Sequence, residues 1–116
     1  MSQPERHEKS RRFVGVNNGL WTMGTKSIAD ITQVFAAYKL APVADRIRQD
    51  VLILACTEEN FSPFHQTADF QKALVNARSV TTRIFDRRSG GAEHCECGAV
   101  TLLPAALFDW LLTHFA

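Results

Sequence analysis

The run Val51-Leu52-Ile53-Leu54-Ala55-Cys56-Thr57-Glu58-Glu59-Asn60-Phe61-Ser62-Pro63 decides how the rest of the chain is read. Its first five residues carry no polar side chain. A strand apolar on both faces is the mark of a buried parallel sheet. The next eight residues form an acidic turn, and Ser62-Pro63 offers a hydroxyl cap and a proline at the first helical position. Phe70, Ala73, Leu74 and Ala77 then recur at helical spacing. Ser79-Val80-Thr81-Thr82-Arg83-Ile84-Phe85 is β-branched and reads as a second strand. Strand, helix and strand over this length make one βαβ unit. The fold class expected is therefore α/β. The turn after the first strand carries Glu58 and Glu59, and the polar loop after the second, residues 86–98, carries His94. Both fall beyond the carboxyl ends of parallel strands, where α/β sheets gather ligands and chemistry.

Working outward, residues 1–12 are polar and charged, with no apolar core of a signal peptide, and read as a disordered terminus. Residues 13–50 form a helical segment. Its start, Phe13 to Gly24, holds three glycines and two asparagines and suits an irregular packed loop, with room for a short helical turn. Ser27, with Asp30 three residues on, caps a helix whose Ile28, Ile31, Phe35 and Tyr38 lie near one face. Pro42 opens another short helix striped by Val43 and Ile47. Residues 51–116 form the βαβα part, closed by an amphipathic helix with Leu103, Leu107, Trp110, Leu111 and His114.

Composition bounds the partners. The 116 residues suit one small domain, and 46% apolar with 22% charged residues places the chain among globular proteins. A net charge of +1 gives no reason to expect nucleic acid or an acidic membrane surface. Three cysteines, two of them in one loop, do not form a secreted disulfide framework, so a reduced, cytoplasmic setting is expected. No stretch reaches the length of a membrane span.

The segment Val51 to Pro63, then His94-Cys95, then a closing helix with Asp109-Trp110-Leu111, resembles the C-terminal part of an α/β-hydrolase, a serine esterase or peptidase-like enzyme. The helices from Asn18 through Tyr38 and Ile47 resemble the cap that precedes this part in some relatives. The likeness runs from about Phe13 to Phe115. It implies a partial α/β-hydrolase fold, an ester or amide substrate, no cofactor, and two members of a Ser–His–acid triad. In that family the acid follows the penultimate strand in a turn of the form G-x-x-D-x-x-x-P. Here Cys56 stands at the glycine and Glu59 at the acid, with Glu58 the neighbouring alternative. The triad histidine, in the loop after the last strand, matches His94. Such an acid fixes the imidazole's tautomer and orientation and stabilises its cation.

The match has a gap. Triad order in this fold is serine, acid, histidine, and the G-x-S-x-G elbow belongs upstream of Glu59. Ser2, Ser10 and Ser27 are not flanked by the required glycines, nor is Ser62. The chain thus reads as the last third of a hydrolase, whether as a gene fragment, a truncated reading frame or one product of a split gene, inactive alone, whose open sheet invites self-association or a complementary chain. The competing function is a non-catalytic α/β domain that binds a partner. The plain alternative for Glu58, Glu59 and His94 is a solvated acidic turn and a loop histidine.

Other features point less far. Glu93, His94, Cys95 and Cys97 lack the paired ligand sets of structural zinc, so no metal is expected. Cys56 is placed as a small packing residue rather than a nucleophile. Gly19 to Ser27 misses a phosphate-binding loop, because lysine does not directly follow the second glycine. His7, His65 and His114 have no partners at motif spacing.

Overall fold

In a computed structural model that describes residues 16–115, the chain divides into two compact units between Lys39 and Leu40. The expectation of a disordered terminus at residues 1–12 lies outside the described residues.

The first unit holds α1, helical through residues 16–23, and α2, Ile28–Ala37. A helix thus stands where an irregular loop was expected. Asn17, Asn18 and Gly19 are poor helix formers, but Gly19 lets α1 approach α2: a Cβ there would lie 3.2 Å from Ile31 Cδ1. Gly24 ends α1 in the left-handed region at φ 62°, and Thr25 N–H donates to the Leu20 carbonyl at 3.0 Å. Ser27 Oγ caps α2 by accepting from Asp30 N–H at 3.1 Å. Gly19 therefore sits inside a helix, which a phosphate-cradling loop does not allow.

The second unit is α/β. Strands β1, Asp50–Cys56, and β2, Ser79–Phe85, pair in parallel in register from Asp50↔Ser79 to Cys56↔Phe85. Helix α3, His65–Ala73, connects them, and α4, Leu102–Phe115, follows. The register starts at a polar clamp: Ser79 Oγ donates to Asp50 Oδ1 at 2.7 Å, and Arg78 pairs with the same carboxylate. Trp110 docks α4 on the sheet by donating its indole N–H to Thr81 Oγ1 at 3.1 Å.

Two expected starts shift. The helix expected from Pro42 is one 3₁₀ turn, Ala44–Arg46, its entry bent by Val43 and Ala44 N–H groups that both donate to the Leu40 carbonyl. Ala44 is fully buried there, and Asn76 Nδ2 ties the turn to the end of α3 by donating to the Asp45 carbonyl at 2.7 Å. Ser62 does not cap α3. The Pro63 and Phe64 carbonyls accept from Gln66 and Thr67, three residues on, so the regular helix begins at His65.

The core is thin. Ile53, Cys56, Leu74, Phe85 and Ala92 are buried with Ala44, and no large side chain among the described residues is completely removed from solvent. The expected burial of β1 on both faces is only partly met: Ile53 and Cys56 are buried and the other strand residues lie between. No helix among the described residues is long and apolar enough to cross a membrane.

Candidate functional site

Parallel pairing carries the two strand exits to one edge. Past Cys56↔Phe85, Thr57 N–H donates to the Phe85 carbonyl at 3.0 Å and Glu58 N–H to the Ala92 carbonyl at 2.8 Å. Glu58 and Glu93 form a further isolated parallel bridge. The ladder is thereby prolonged past the strands and interrupted by the loop of residues 86–91. That loop is tied by Asp86 and Ser89: Ser89 N–H donates to Asp86 Oδ1, and Ser89 Oγ donates back to the Asp86 carbonyl. The residues following the bridge on each side, Glu59 and His94, come face to face.

Glu59 Oε2 lies 2.7 Å from His94 Nδ1. Its other oxygen accepts from Phe61 N–H at 2.8 Å, which closes the turn on itself. That backbone bond, then the bond to His94, hold the Glu59 carboxyl below the usual glutamate range. Glu59 is therefore ionised at neutral pH and accepts only, so His94 Nδ1 donates. The Phe61 ring meets the imidazole edge-on, with centroids 4.6 Å apart. The His94 side chain keeps 43% of its surface open, and Nε2 has no partner among the described residues. One ring nitrogen is thus fixed by a carboxylate and the other is free to take a proton from an approaching group.

Glu58 is engaged elsewhere. It forms an ion pair with Arg87, whose Nη2 is 3.2 Å from Oε2 and whose Nε meets Oε1. The Arg87 bond holds the Glu58 carboxyl below its usual range. Of the two neighbouring glutamates, Glu59 faces the histidine.

Cys56, the last residue of β1, is buried, and burial pushes its thiol up. It donates from Sγ to Glu96 Oε1 at 3.4 Å. Cys95 and Cys97 are free and exposed, and no group of three or more metal-binding side chains occurs among the described residues. His65 starts α3. His114 Nδ1 lies 2.9 Å from the Trp110 carbonyl within α4, its ring stacked on Trp110 at 4.5 Å. His7 lies outside the described residues.

Sequence reasoning passed over Glu96, Arg87, Phe61 and Gly91. Arg87 had a charge signal, lying just beyond β2 as Glu58 lies just beyond β1. Glu96, flanked by two cysteines in a polar loop, had none, because the backbone reversal that turns it inward leaves no mark on residue type. No protein-family model, curated protein or solved structure matches the chain.

Proposed function

We propose that this chain is the C-terminal part of an α/β-hydrolase and supplies the acid, Glu59, and the base, His94, of a Ser–His–acid triad acting on an ester or amide. The observation that carries the reading is the Glu59–His94 bond of 2.7 Å beyond the carboxyl ends of two adjacent parallel strands. The division of labour follows from the chemistry. The carboxylate holds Nδ1–H, so Nε2 presents its lone pair. A serine hydroxyl within hydrogen-bond reach of Nε2 would lose its proton there as it attacks the carbonyl carbon, and Nε2–H would return that proton to the leaving group. The ionised carboxylate stabilises the imidazolium between those steps.

In this reading the nucleophile lies outside these 116 residues, since no G-x-S-x-G precedes Glu59 within them. The test is to look for an open reading frame with that motif immediately upstream, and to co-express its product with this chain. Serine labelling by a fluorophosphonate that requires both chains supports the reading. Absence of such a frame, or labelling indifferent to this chain, contradicts it.

The second reading, a non-catalytic domain that binds a partner chain, has its own observation. Ile84 on β2 and Phe108 and Leu112 on α4 are more than half exposed, and among the described residues each strand pairs on one side only. Open strand edges beside apolar side chains favour association. A complex with a partner that leaves the Nε2 side of His94 covered would favour this reading over catalysis.

A further inference from the structure

Two consecutive non-glycine residues beside the histidine adopt the left-handed region: Cys95 at φ 55° and Glu96 at φ 50°. Such residues are strained and persist only where the surroundings over-determine them. The 3₁₀ turn His94–Glu96 has backbone bonds of its own, from Glu96 N–H to the Glu93 carbonyl at 2.9 Å and from Cys97 N–H to the His94 carbonyl at 3.2 Å. Those bonds close a turn but do not dock it. Beyond the Glu58↔Glu93 bridge and the Glu59–His94 bond, one buried side chain ties the turn to the end of β1. Glu96 is 3% exposed, while Cys95 and Cys97 on either side are exposed. The left-handed pair is what sends Glu96 inward and leaves its neighbours out.

The place where Glu96 goes is built for it. Its Oε1 accepts from the Cys56 thiol at the last rung of β1. Its Cγ passes over Gly91, where a Cβ would come within 3.2 Å of it. Its Oε2 is buried without a partner among the described residues. A carboxyl half satisfied in a thin core is a costly way to fill space, and an apolar side chain of that volume would fill it better. What the carboxyl adds is a directional link between the last residue of β1 and the turn that carries His94. The buried thiol, pushed up by desolvation, stays protonated as donor through neutral pH.

We propose that Glu96, anchored by Cys56, is the positioning residue that fixes His94 in register with Glu59. Cys56 precedes Glu59 by three residues and Glu96 follows His94 by two, so the Cys56–Glu96 and Glu59–His94 contacts lie on either side of Glu58 along the first segment and both follow its bridge partner Glu93 along the second. With the inner contact removed, the strained turn relaxes toward right-handed backbone and carries the imidazole away from Glu59. The importance of this for catalysis rests on the function proposed above, but the positioning itself is geometric and is tested without activity.

The measurement is the ring ¹⁵N spectrum of His94 in the full chain, recorded across a series of mildly alkaline buffers. With the Glu59 bond intact, Nδ1 carries the proton and Nε2 is bare. Glu96→Ala is expected to shift the ring toward the Nε2–H tautomer that free imidazole side chains favour, and Glu96→Gln, which keeps the acceptor oxygen, to restore Nδ1–H. A folded Glu96→Ala protein that keeps the wild-type tautomer overturns the proposal. If Glu96→Ala does not fold, Cys56→Ala decides: loss of the Nδ1–H form supports the proposal and its retention overturns it. Failure of serine labelling alongside the expected tautomer shifts would remove the proposed catalysis and leave the positioning standing.

Discussion

Glu59 and His94 stand thirty-five residues apart in sequence, yet Glu59 Oε2 and His94 Nδ1 are 2.7 Å apart. The parallel register makes this so. With Cys56 opposite Phe85 and Glu58 bridged to Glu93, the next residue on each side is brought to the same edge.

The pair gives the chain an acid limb in its stability. Both Glu58 and Glu59 have carboxyls held below the usual range in the folded state. For a depressed folded value, the stabilisation is complete above the unfolded value of about 4.3 and is lost as pH falls through the folded value. Glu59→Gln and Glu58→Gln should each flatten the fall in thermal midpoint below about pH 4.3, with little change in its slope at neutral pH. An unchanged acid limb in the double variant would contradict the assignment of these two carboxylates.

Thiol reactivity separates the cysteines. Cys95 and Cys97 are exposed, whereas Cys56 is buried with its thiolate disfavoured. An iodoacetamide time course should modify two thiols quickly and the third only on unfolding. Fast modification of Cys56 in the folded chain would show a reactive nucleophile where a structural thiol is assigned.

Gly91 is a steric requirement. A Cβ there would lie 2.8 Å from Leu102 Cδ1, 3.2 Å from Glu96 Cγ and 3.2 Å from Phe85 Cβ. Gly91→Ala forces α4, the His94 turn or the end of β2 to move, at a cost of about 1–3 kcal/mol. Urea denaturation should give a lower midpoint at unchanged slope. A midpoint equal to wild type would mean that the three neighbours yield freely.

The exposed apolar side chains predict association. Phe108 and Leu112 sit one turn apart on α4, 62% and 66% exposed. Sedimentation across a concentration series should show an average mass that rises with concentration. Phe108→Lys with Leu112→Lys should lower it. A monomer throughout the series would show that the thin core suffices.

How much of this was legible follows from where physics writes on residue type. The strands were legible because Val51 to Ala55 has no polar side chain and Val80 to Ile84 is β-branched. That Glu59 and His94 share one sheet edge was legible from the strand ends, because both lie just beyond the carboxyl ends of the two strands. The choice between Glu58 and Glu59 was not, because both are acidic turn residues. Arg87 and the direction each carboxylate takes from the bridge decide it. Helix α1 was hidden by Asn17, Asn18 and Gly19, whose weak propensity is overridden by the close approach of Gly19 to Ile31. The start of α3 was misplaced because Ser62-Pro63 has the composition of a cap but the chain there forms a tighter turn. Glu96 was invisible because two left-handed residues set its direction, and neither is a glycine.

The most direct test of the proposed acid–base role is p-nitrophenyl ester turnover. This chain alone should show none above background, because no G-x-S-x-G precedes Glu59 in its 116 residues. Reconstituted with the polypeptide carrying G-x-S-x-G, it should turn over, and His94→Ala in this chain should reduce the rate by roughly 10²–10⁴-fold. Turnover by this chain alone that His94→Ala abolishes, or reconstituted turnover that His94→Ala leaves unchanged, would contradict the account.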